Sequence, residues 1–259
     1  MKRYALIGEK LGHSYSKLIH ERYFSLSGKD SLTYELIEIP KQNLKEEFAR
    51  ISKEFAGINV TIPYKIDVMQ FLDGISDEAQ KIGAVNTVKF TDGGAFGYNT
   101  DYFGFKHTLE ANAISIKGKN VVILGTGGAS KAAVNVCKDL GAADITFVST
   151  RPSVSNDCKV IGYNDKIKGD VLINCTPVGM YPNVDESPLN ELDSSFTAVV
   201  DMIYNPSVTC LMQKASDMGK KAVNGLMMLT SQAIYAEAIW HGEEVNKNII
   251  DTVFNELKE

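Results

Sequence analysis

The stretch that decides the fold is Asn120-Val-Val-Ile-Leu-Gly125-Thr-Gly127-Gly128-Ala-Ser130-Lys131. It begins as a short apolar run, passes through a cluster of glycines and continues into a helix-favouring segment that closes at Gly141. This order predicts a strand, a tight turn and a helix. Turn glycines lack a Cβ atom, so a ligand phosphate can approach the main chain, where the amides at a helix start attract an anion. The flanking strand and helix therefore favour a dinucleotide site over a glycine turn without a ligand.

The composition is that of an ordinary soluble globular protein. The chain has 259 residues, of which 44% are hydrophobic and 23% are charged, with a formal net charge of -5. This length suffices for one large or two modest domains. The negative charge argues against a general nucleic-acid binder, which needs a basic surface. The apolar run at the N-terminus is too short for a signal peptide and no stretch is long enough to span a bilayer, so we expect a cytoplasmic protein.

The four cysteines are far apart in the sequence. They form no CxxC pair, and no histidine lies at the spacing that metal ligands require: Cys137, Cys158, Cys175 and Cys210. We therefore expect reduced thiols and no metal site.

An ordered loop follows the first predicted strand, Tyr4-Ala-Leu-Ile7. It runs through Gly8-Glu-Lys-Leu-Gly-His-Ser14-Tyr-Ser16 and leads into a segment with helical spacing. Ser14 or Ser16 would cap that helix, because a serine oxygen accepts hydrogen bonds from the first helical amides. Two hydroxyls so close to a helix start also suit a small carboxylate. Both interpretations stay open on these residues alone.

Three further polar residues lie beside predicted strands. Lys65 follows a strand, Gly57-Ile-Asn-Val-Thr61, and a proline turn. Such a lysine is either a solvated surface residue or a proton acceptor that points into a cleft. Asn86 interrupts an apolar segment, where a ligand hydroxyl would satisfy its amide. Asp101 follows a strand and begins a helix, so that it or Thr100 would be the N-cap without excluding a chemical role.

The ordered set of these motifs resembles the shikimate dehydrogenase family. The matches run in order over about residues 5 to 240. No single motif would suffice, but the ordered set is highly specific. The matching segments are Gly12-His-Ser-Tyr-Ser16 with His20, Asn59-Val-Thr-Ile-Pro-Tyr-Lys65, Gly83-Ala-Val-Asn-Thr87, Asn99-Thr-Asp101, Gly125-Thr-Gly-Gly-Ala-Ser130, Asn174-Cys-Thr-Pro-Val-Gly-Met180 and Gly225-Leu-Met-Met-Leu-Thr-Ser-Gln-Ala233.

The resemblance implies a reaction and the residues that carry it. The family reversibly reduces 3-dehydroshikimate to shikimate with NADP(H), in aromatic amino-acid biosynthesis. Lys65 would exchange the proton of the reacting hydroxyl, and Asp101 would hold the lysine and that hydroxyl in place. The substrate would be bound at its carboxylate by Ser14, Ser16 and Tyr204 and at its ring hydroxyls by Thr61, Asn86 and Gln232.

The same resemblance implies a cofactor site in the second half of the chain. Ser149, Thr150 and Arg151 follow the next predicted strand, at the sheet edge where an adenosine ribose binds. No acidic residue is positioned there for a 2′-hydroxyl, whereas hydroxyls and an arginine suit a 2′-phosphate, so NADP is favoured over NAD. Thr176 would also contact the cofactor, with Met202 and Gly225 near the nicotinamide. The glycine turn would contribute Gly125, Thr126, Gly127, Gly128 and Ala129.

The sequence departs from the family pattern in two places. Lys10 and Lys17 stand where the family generally has prolines, and Glu21 replaces a common asparagine. We expect these changes to alter the stiffness of the loop more than the reaction. Arg151 comes one residue later than the usual arginine, and its side chain is long enough to reach a phosphate from either position.

We therefore expect an α/β fold with two domains. Residues 1–101, completed by helices at about 236–259, would form the α/β substrate and catalytic domain, and residues 102–235 a Rossmann-like, doubly wound parallel sheet that binds NADP. The protein would act on a small molecule, as a monomer or homodimer, with no nucleic-acid or membrane partner. The alternatives are a quinate/shikimate dehydrogenase that uses NAD and a non-catalytic metabolite-binding homologue, which would be expected to lack Lys65 or Asp101.

Overall fold

The structure is a computed structural model that describes residues 2–12, 14–151 and 158–258. The chain divides into two compact units. Unit 1 consists of the residues up to Gly104 together with Thr230–Leu257, and unit 2 is Phe105–Leu229. The boundaries expected from the sequence differ from these by a few residues.

Unit 1 is built on a mixed β-sheet. Its strands within the described residues are β1 (Arg3–Gly8), β2 (Thr33–Glu38), β3 (Gly57–Val60), β4 (Gly74–Ile75), β5 (Thr87–Thr91) and β6 (Gly94–Tyr98). They lie in the order β2-β1-β3-β5-β6-β4. β1 pairs in parallel with β2 and β3, whereas β5 is antiparallel to β3 and β6. β5 and β6 thus form a hairpin, which Asp92 and Gly93 connect.

Unit 2 is built on a parallel β-sheet. Its strands within the described residues are β7 (Asn120–Leu124), β8 (Asp144–Val148), β9 (Lys159–Ile161), β10 (Val171–Asn174), β11 (Ala198–Asp201) and β12 (Lys221–Val223). Their order is β12-β11-β10-β7-β8-β9, and all adjacent pairs are parallel. The chain thus winds from β7 to both sides, which confirms the predicted doubly wound sheet. The edge strand β9 was not predicted.

The helices of the described residues are α1 (Ser16–Leu26), α2 (Leu44–Glu54), α3 (Asp77–Ile82), α4 (Thr100–Ala111), α5 (Gly128–Asp139), α6 (Cys210–Asp217), α7 (Leu226–His241) and α8 (Lys247–Lys258). α6 begins directly after Thr209, which is its N-cap and whose side chain accepts from Met212 N. None of the helices in the described ranges combines the length and the apolarity that crossing a membrane requires.

Each unit has its own hydrophobic core. In unit 1 the core includes Ile7, Phe48 and Ile58, which are at most 4% exposed. In unit 2 it gathers around β7 and β10, whose apolar side chains are buried on both faces of the sheet. Parallel strands covered on both faces have continuous apolar sequences, which is why the run after Asn120 indicates a strand of this kind.

Trp240 fixes α7 against the sheet of unit 1. Its indole Nε1 donates to Val88 O at 2.9 Å, and its ring stacks on Tyr4 with the ring centroids 4.7 Å apart. A Cβ atom added at Gly57 would lie 2.3 Å from Trp240 Nε1. The close approach of the indole to β3 therefore requires glycine at this position.

We expect Gly57→Ala to lower the free energy of unfolding by about 1–3 kcal/mol, because the new methyl group forces the buried indole from its hydrogen bond. Thermal unfolding followed by circular dichroism measures the change. Gly93→Ala is the matched control, since its added Cβ would meet nothing closer than 3.6 Å. Equal melting temperatures for the two variants would contradict the expectation.

Candidate functional site

A lysine and a carboxylate form an ion pair in unit 1. Lys65 Nζ donates to Asp101 Oδ2 at 2.6 Å, and the two side chains are 27% and 17% exposed, so a small ligand can still reach them. Lys65 lies in the turn after β3, where its carbonyl oxygen accepts from Val85 N at 2.7 Å. Asp101 lies in the first turn of α4. The structure thus brings together the two residues for which the sequence suggested a catalytic role.

Asn99 precedes α4 and caps it. Its Oδ1 accepts from Tyr102 N at 3.4 Å, and its Nδ2 donates to Ala84 O at 2.9 Å. The expectation that Thr100 or Asp101 would be the N-cap is wrong, because α4 already begins at Thr100. The Asp101 carboxylate is consequently not needed for capping and is available to Lys65.

Asn86 is buried, with only 3% of its surface exposed. Its Oδ1 accepts from Thr100 N at 2.7 Å, from Thr100 Oγ1 at 3.2 Å and from Thr87 Oγ1 at 3.0 Å. A backbone N–H can only donate, so the atom that faces Thr100 N must be the amide oxygen. The NH2 group of Asn86 is therefore directed away from these donors.

Asn59 supports Asn86 from within the sheet. Asn59 Nδ2 donates to Thr87 Oγ1 at 3.0 Å and to Asn86 O at 3.3 Å. Asn59 Oδ1 accepts from Tyr34 OH at 2.7 Å. Burial raises the pKa of Tyr34 well above its ordinary value, so this phenol stays a neutral donor. The sequence indicated only that Asn59 is a polar residue in an apolar strand and did not identify Tyr34 or Thr87.

The two serines of the first motif lie at the start of α1. Ser14 Oγ accepts from Ser16 N at 3.2 Å, Ser16 is the first residue of the helix, and Tyr15 occupies the N-cap position without a side-chain cap. Neither serine therefore occupies the N-cap position, although the Ser14 oxygen does accept from the first helical amide, as the capping interpretation expected. The loop before them is held by Glu38 Oε1, which accepts from Leu11 N at 2.7 Å. His13 lies outside the described residues.

The residues that depart from the family pattern lie at the surface. Lys10, Lys17 and Glu21 are exposed, and Lys17 Nζ is 3.7 Å from Glu21 Oε1, one helical turn away. An exposed pair of this kind adds little stability. Two of the three departures in the first motif thus form a pair with each other.

A buried carboxylate joins α1 to α7. Glu237 Oε1 is 2.5 Å from His20 Nδ1, and Glu237 Oε2 is 3.0 Å from His241 Nε2. His20 and Glu237 are fully buried, and the His20 ring stacks on Tyr34 with the centroids 4.0 Å apart. His20 therefore fixes the helix that begins at Ser16, a role that the sequence did not indicate.

α7 also carries Gln232, whose Oε1 is 3.5 Å from Thr100 Oγ1.

The glycine turn of unit 2 lies between β7 and α5. Gly125 has a φ of +88°, which favours glycine, and the Ser130 hydroxyl donates to Gly127 O at 2.7 Å. Added Cβ atoms at Gly127 and Gly128 would meet no protein atom within 4 Å. The space above these glycines and the free amides at the start of α5 fit a dinucleotide pyrophosphate.

The other expected cofactor residues lie at the same carboxyl edge of the unit 2 sheet. Ser149, Thr150 and Arg151 follow β8; Ser149 Oγ accepts from Arg151 N at 3.1 Å, and Arg151 is exposed. Thr176, Met202 and Gly225 follow β10, β11 and β12. An added Cβ at Gly125 would lie 2.9 Å from Thr176 Cγ2, and one at Gly225 would lie 2.1 Å from Met202 O. The glycines thus allow close packing along this edge.

The expected substrate residues are divided between the units. Ser14, Ser16, Thr61, Asn86 and Gln232 belong to unit 1, as do Lys65 and Asp101, whereas Tyr204 belongs to unit 2. Within the described ranges, no three His, Cys, Asp or Glu side chains are grouped so that they could hold a metal ion.

A parallel sheet with a glycine turn at its carboxyl edge, and a lysine–carboxylate pair among amides and hydroxyls, define a nicotinamide-dependent oxidoreductase. The family model described as the shikimate dehydrogenase substrate binding domain matches residues 6–88. A shikimate dehydrogenase (NADP(+)) of Clostridium beijerinckii is 42% identical over an alignment of 264 residues. The alignment covers 98% of this chain and 97% of that protein. The chain therefore belongs to the shikimate dehydrogenase family.

Solved structures agree over the whole chain. The chorismate mutase/shikimate 5-dehydrogenase fusion protein from Clostridium acetobutylicum has a TM-score of 0.95 and 45% identity, over 100% of this chain and 97% of that chain. Shikimate 5-dehydrogenase from Thermus thermophilus, in complex with NADP(H) and shikimate, has a TM-score of 0.90 and 29% identity, over 99% of both chains.

Proposed function

We propose that this chain is an NADP-dependent shikimate dehydrogenase, which reversibly reduces 3-dehydroshikimate to shikimate in aromatic amino-acid biosynthesis. The observation that carries the proposal is the 2.6 Å contact between Lys65 Nζ and Asp101 Oδ2, beside the buried Asn86 amide. NADP(H), when bound, supplies or accepts the hydride. The enzyme works in the cytoplasm on a small molecule, as a monomer or homodimer.

Lys65 handles the proton of the reaction. During reduction its ammonium group donates a proton to the carbonyl oxygen, and during oxidation its neutral amine accepts the hydroxyl proton. The Asp101 carboxylate orients Nζ, because it accepts from Nζ directly. The presence of both residues argues against the non-catalytic alternative.

Neutral donors and acceptors recognise the substrate. Ser14 and Ser16, with Tyr204, bind the carboxylate. The NH2 group of Asn86 donates to a ring hydroxyl, since its oxygen already serves Thr100 N. Thr61 and Gln232 bind the remaining hydroxyls. A substrate that lacks one of these hydroxyls leaves a shielded polar group unpaired, which gives discrimination.

Unit 2 holds the cofactor. The amides of Gly125, Thr126, Gly127, Gly128 and Ala129 bind the pyrophosphate at the start of α5. Ser149, Thr150 and Arg151 bind the 2′-phosphate, for which the exposed guanidinium supplies the charge. Thr176, Met202 and Gly225 form the nicotinamide end of the site.

The reaction is tested by the change in nicotinamide absorbance when shikimate or quinate is mixed with NADP or NAD. We expect shikimate with NADP to give the highest kcat/KM, because Arg151 attracts the 2′-phosphate and the proposed roles of Thr61, Asn86 and Gln232 match the ring hydroxyls of shikimate. A highest value for quinate with NAD would instead favour the quinate/shikimate dehydrogenase. No turnover with any pair would exclude the enzyme assignment.

We expect Lys65→Met to lower kcat by about 10²–10⁴-fold, because the aliphatic side chain cannot exchange the proton. Shikimate binding, measured by isothermal titration calorimetry, should remain within a few fold of the unaltered protein. Lys53→Met, at an exposed position of α2, is the control and should keep full turnover. Near-normal turnover of Lys65→Met would remove Lys65 from its assigned role.

We expect Gly127→Ala to keep the melting temperature of the unaltered protein, because the added methyl group meets no protein atom within 4 Å. The same methyl group would collide with a pyrophosphate, so the Kd of NADPH should rise by about tenfold or more, equivalent to at least ~1.4 kcal/mol. Fluorescence titration with NADPH measures the change. Unaltered NADPH affinity would show that the cofactor phosphates do not approach this turn.

A further inference from the structure

Two buried polar residues in unit 2 have no role in the proposed mechanism. Asn174 is the last residue of β10 and Asp201 the last residue of β11; the two are register partners in the parallel sheet, and both are fully buried. Asn174 Nδ2 donates to Asp201 Oδ1 at 3.0 Å. Buried polar groups are costly unless paired, so this pair constrains whatever it is bonded to.

Asp201 holds the segment after β11. Its Oδ1 also accepts from Ile203 N at 3.0 Å, and its Oδ2 accepts from Thr209 Oγ1 at 2.7 Å. The Ile203 carbonyl in turn accepts from Gly225 N at 2.9 Å. The carboxylate therefore determines the path of the chain through Met202 and, through Ile203, the position of Gly225.

Asn174 holds the segment after β10. Its Oδ1 accepts from Thr176 N at 3.0 Å and from Thr176 Oγ1 at 2.7 Å. Thr176 Oγ1 accepts from Val178 N at 3.3 Å, and Thr176 Cγ2 packs closely over Gly125. One continuous chain of hydrogen bonds thus runs from Asp201 through Asn174 to Thr176.

We propose that Asp201 and Asn174 are positioning residues, which shape the nicotinamide end of the NADP(H) site through Thr176, Met202 and Gly225. This proposal rests on the proposed function, which assigns the nicotinamide to those three residues. The segment assigned to the 2′-phosphate is held differently, since Ser149 N donates to Ile161 O at 2.9 Å and Ser149 Oγ accepts from Arg151 N. Loss of the pair should therefore affect one end of the cofactor and spare the other.

The choice of substitution follows from the donors that Asp201 accepts. Asp201→Ala leaves the buried donors of Asn174, Ile203 and Thr209 without their acceptor, so the two segments shift. Asp201→Asn keeps an oxygen for the first two, and the Thr209 hydroxyl can rotate to accept from the new NH2 group. Asp201→Asn should consequently keep most of the hydrogen bonds that Asp201→Ala loses.

The experiment measures binding of two probes to the full chain. NADPH reports on the whole site, and adenosine 2′,5′-bisphosphate, which lacks the nicotinamide, reports on the other end. For Asp201→Ala we expect the Kd of NADPH to rise about tenfold or more, equivalent to ~1.4 kcal/mol. The Kd of adenosine 2′,5′-bisphosphate should stay within about twofold, less than 0.5 kcal/mol. Asp201→Asn should recover most of the NADPH affinity.

The control and the second variant separate this effect from a loss of folding. Asp193→Ala removes another carboxylate of unit 2, which accepts from Ser195 N at 2.9 Å. This variant should bind both probes with unaltered affinity. Circular dichroism establishes that each variant is folded. If Asp201→Ala does not fold, Asn174→Ala takes its place, with the same selective loss of NADPH affinity expected.

Three results would overturn the proposal. They are unaltered NADPH affinity in a folded Asp201→Ala or Asn174→Ala protein, an equal loss of affinity for both probes, and no recovery of NADPH affinity in Asp201→Asn. These results are distinct from failure of the proposed function. If the unaltered protein binds neither probe, the cofactor assignment fails, and the positioning role fails with it.

Discussion

The side-chain oxygen of Asn86 accepts from Thr100 N at 2.7 Å, and the placement of Asp101 against Lys65 depends on this contact. It ties the first residue of α4 to the segment that precedes β5. In that segment, Val85 N donates to the Lys65 carbonyl oxygen at 2.7 Å. Asp101 follows Thr100 directly and so reaches Lys65. A buried amide left without its acceptor costs about 1–3 kcal/mol. The bond from the first amide of α4 to Asn86 therefore also sets the geometry of the ion pair.

Much of unit 2 could be predicted because its signals are local. The apolar run of β7, the glycine turn and the helix that follows are consecutive in the chain, and the strand-helix alternation after them indicates a doubly wound sheet. Lys65 and Asp101 could be named because they stand in a recognisable set of motifs, and the structure places their side chains in contact. β9 escaped prediction because a three-residue edge strand carries too little pattern.

The supporting contacts could not be predicted, because their partners are remote in the sequence. Glu237 and His20 are 217 residues apart, and Tyr34 and Asn59 are 25 residues apart, so neither position reveals its partner. The N-caps were misassigned for a related reason. Asn99, Thr100 and Asp101 are all good capping residues by type, and only the observed start of α4 shows that Asn99 does the capping.

Lys65 is held at both ends, through its backbone carbonyl by Val85 and through Nζ by Asp101. A free lysine side chain samples many rotamers, and fixing it costs about 1.5–2 kcal/mol of conformational entropy. In this protein two contacts within unit 1 restrict the Lys65 residue. For the proton transfer proposed above, a side chain that the fold itself orders leaves less of the binding energy of a small acid to be spent on ordering it.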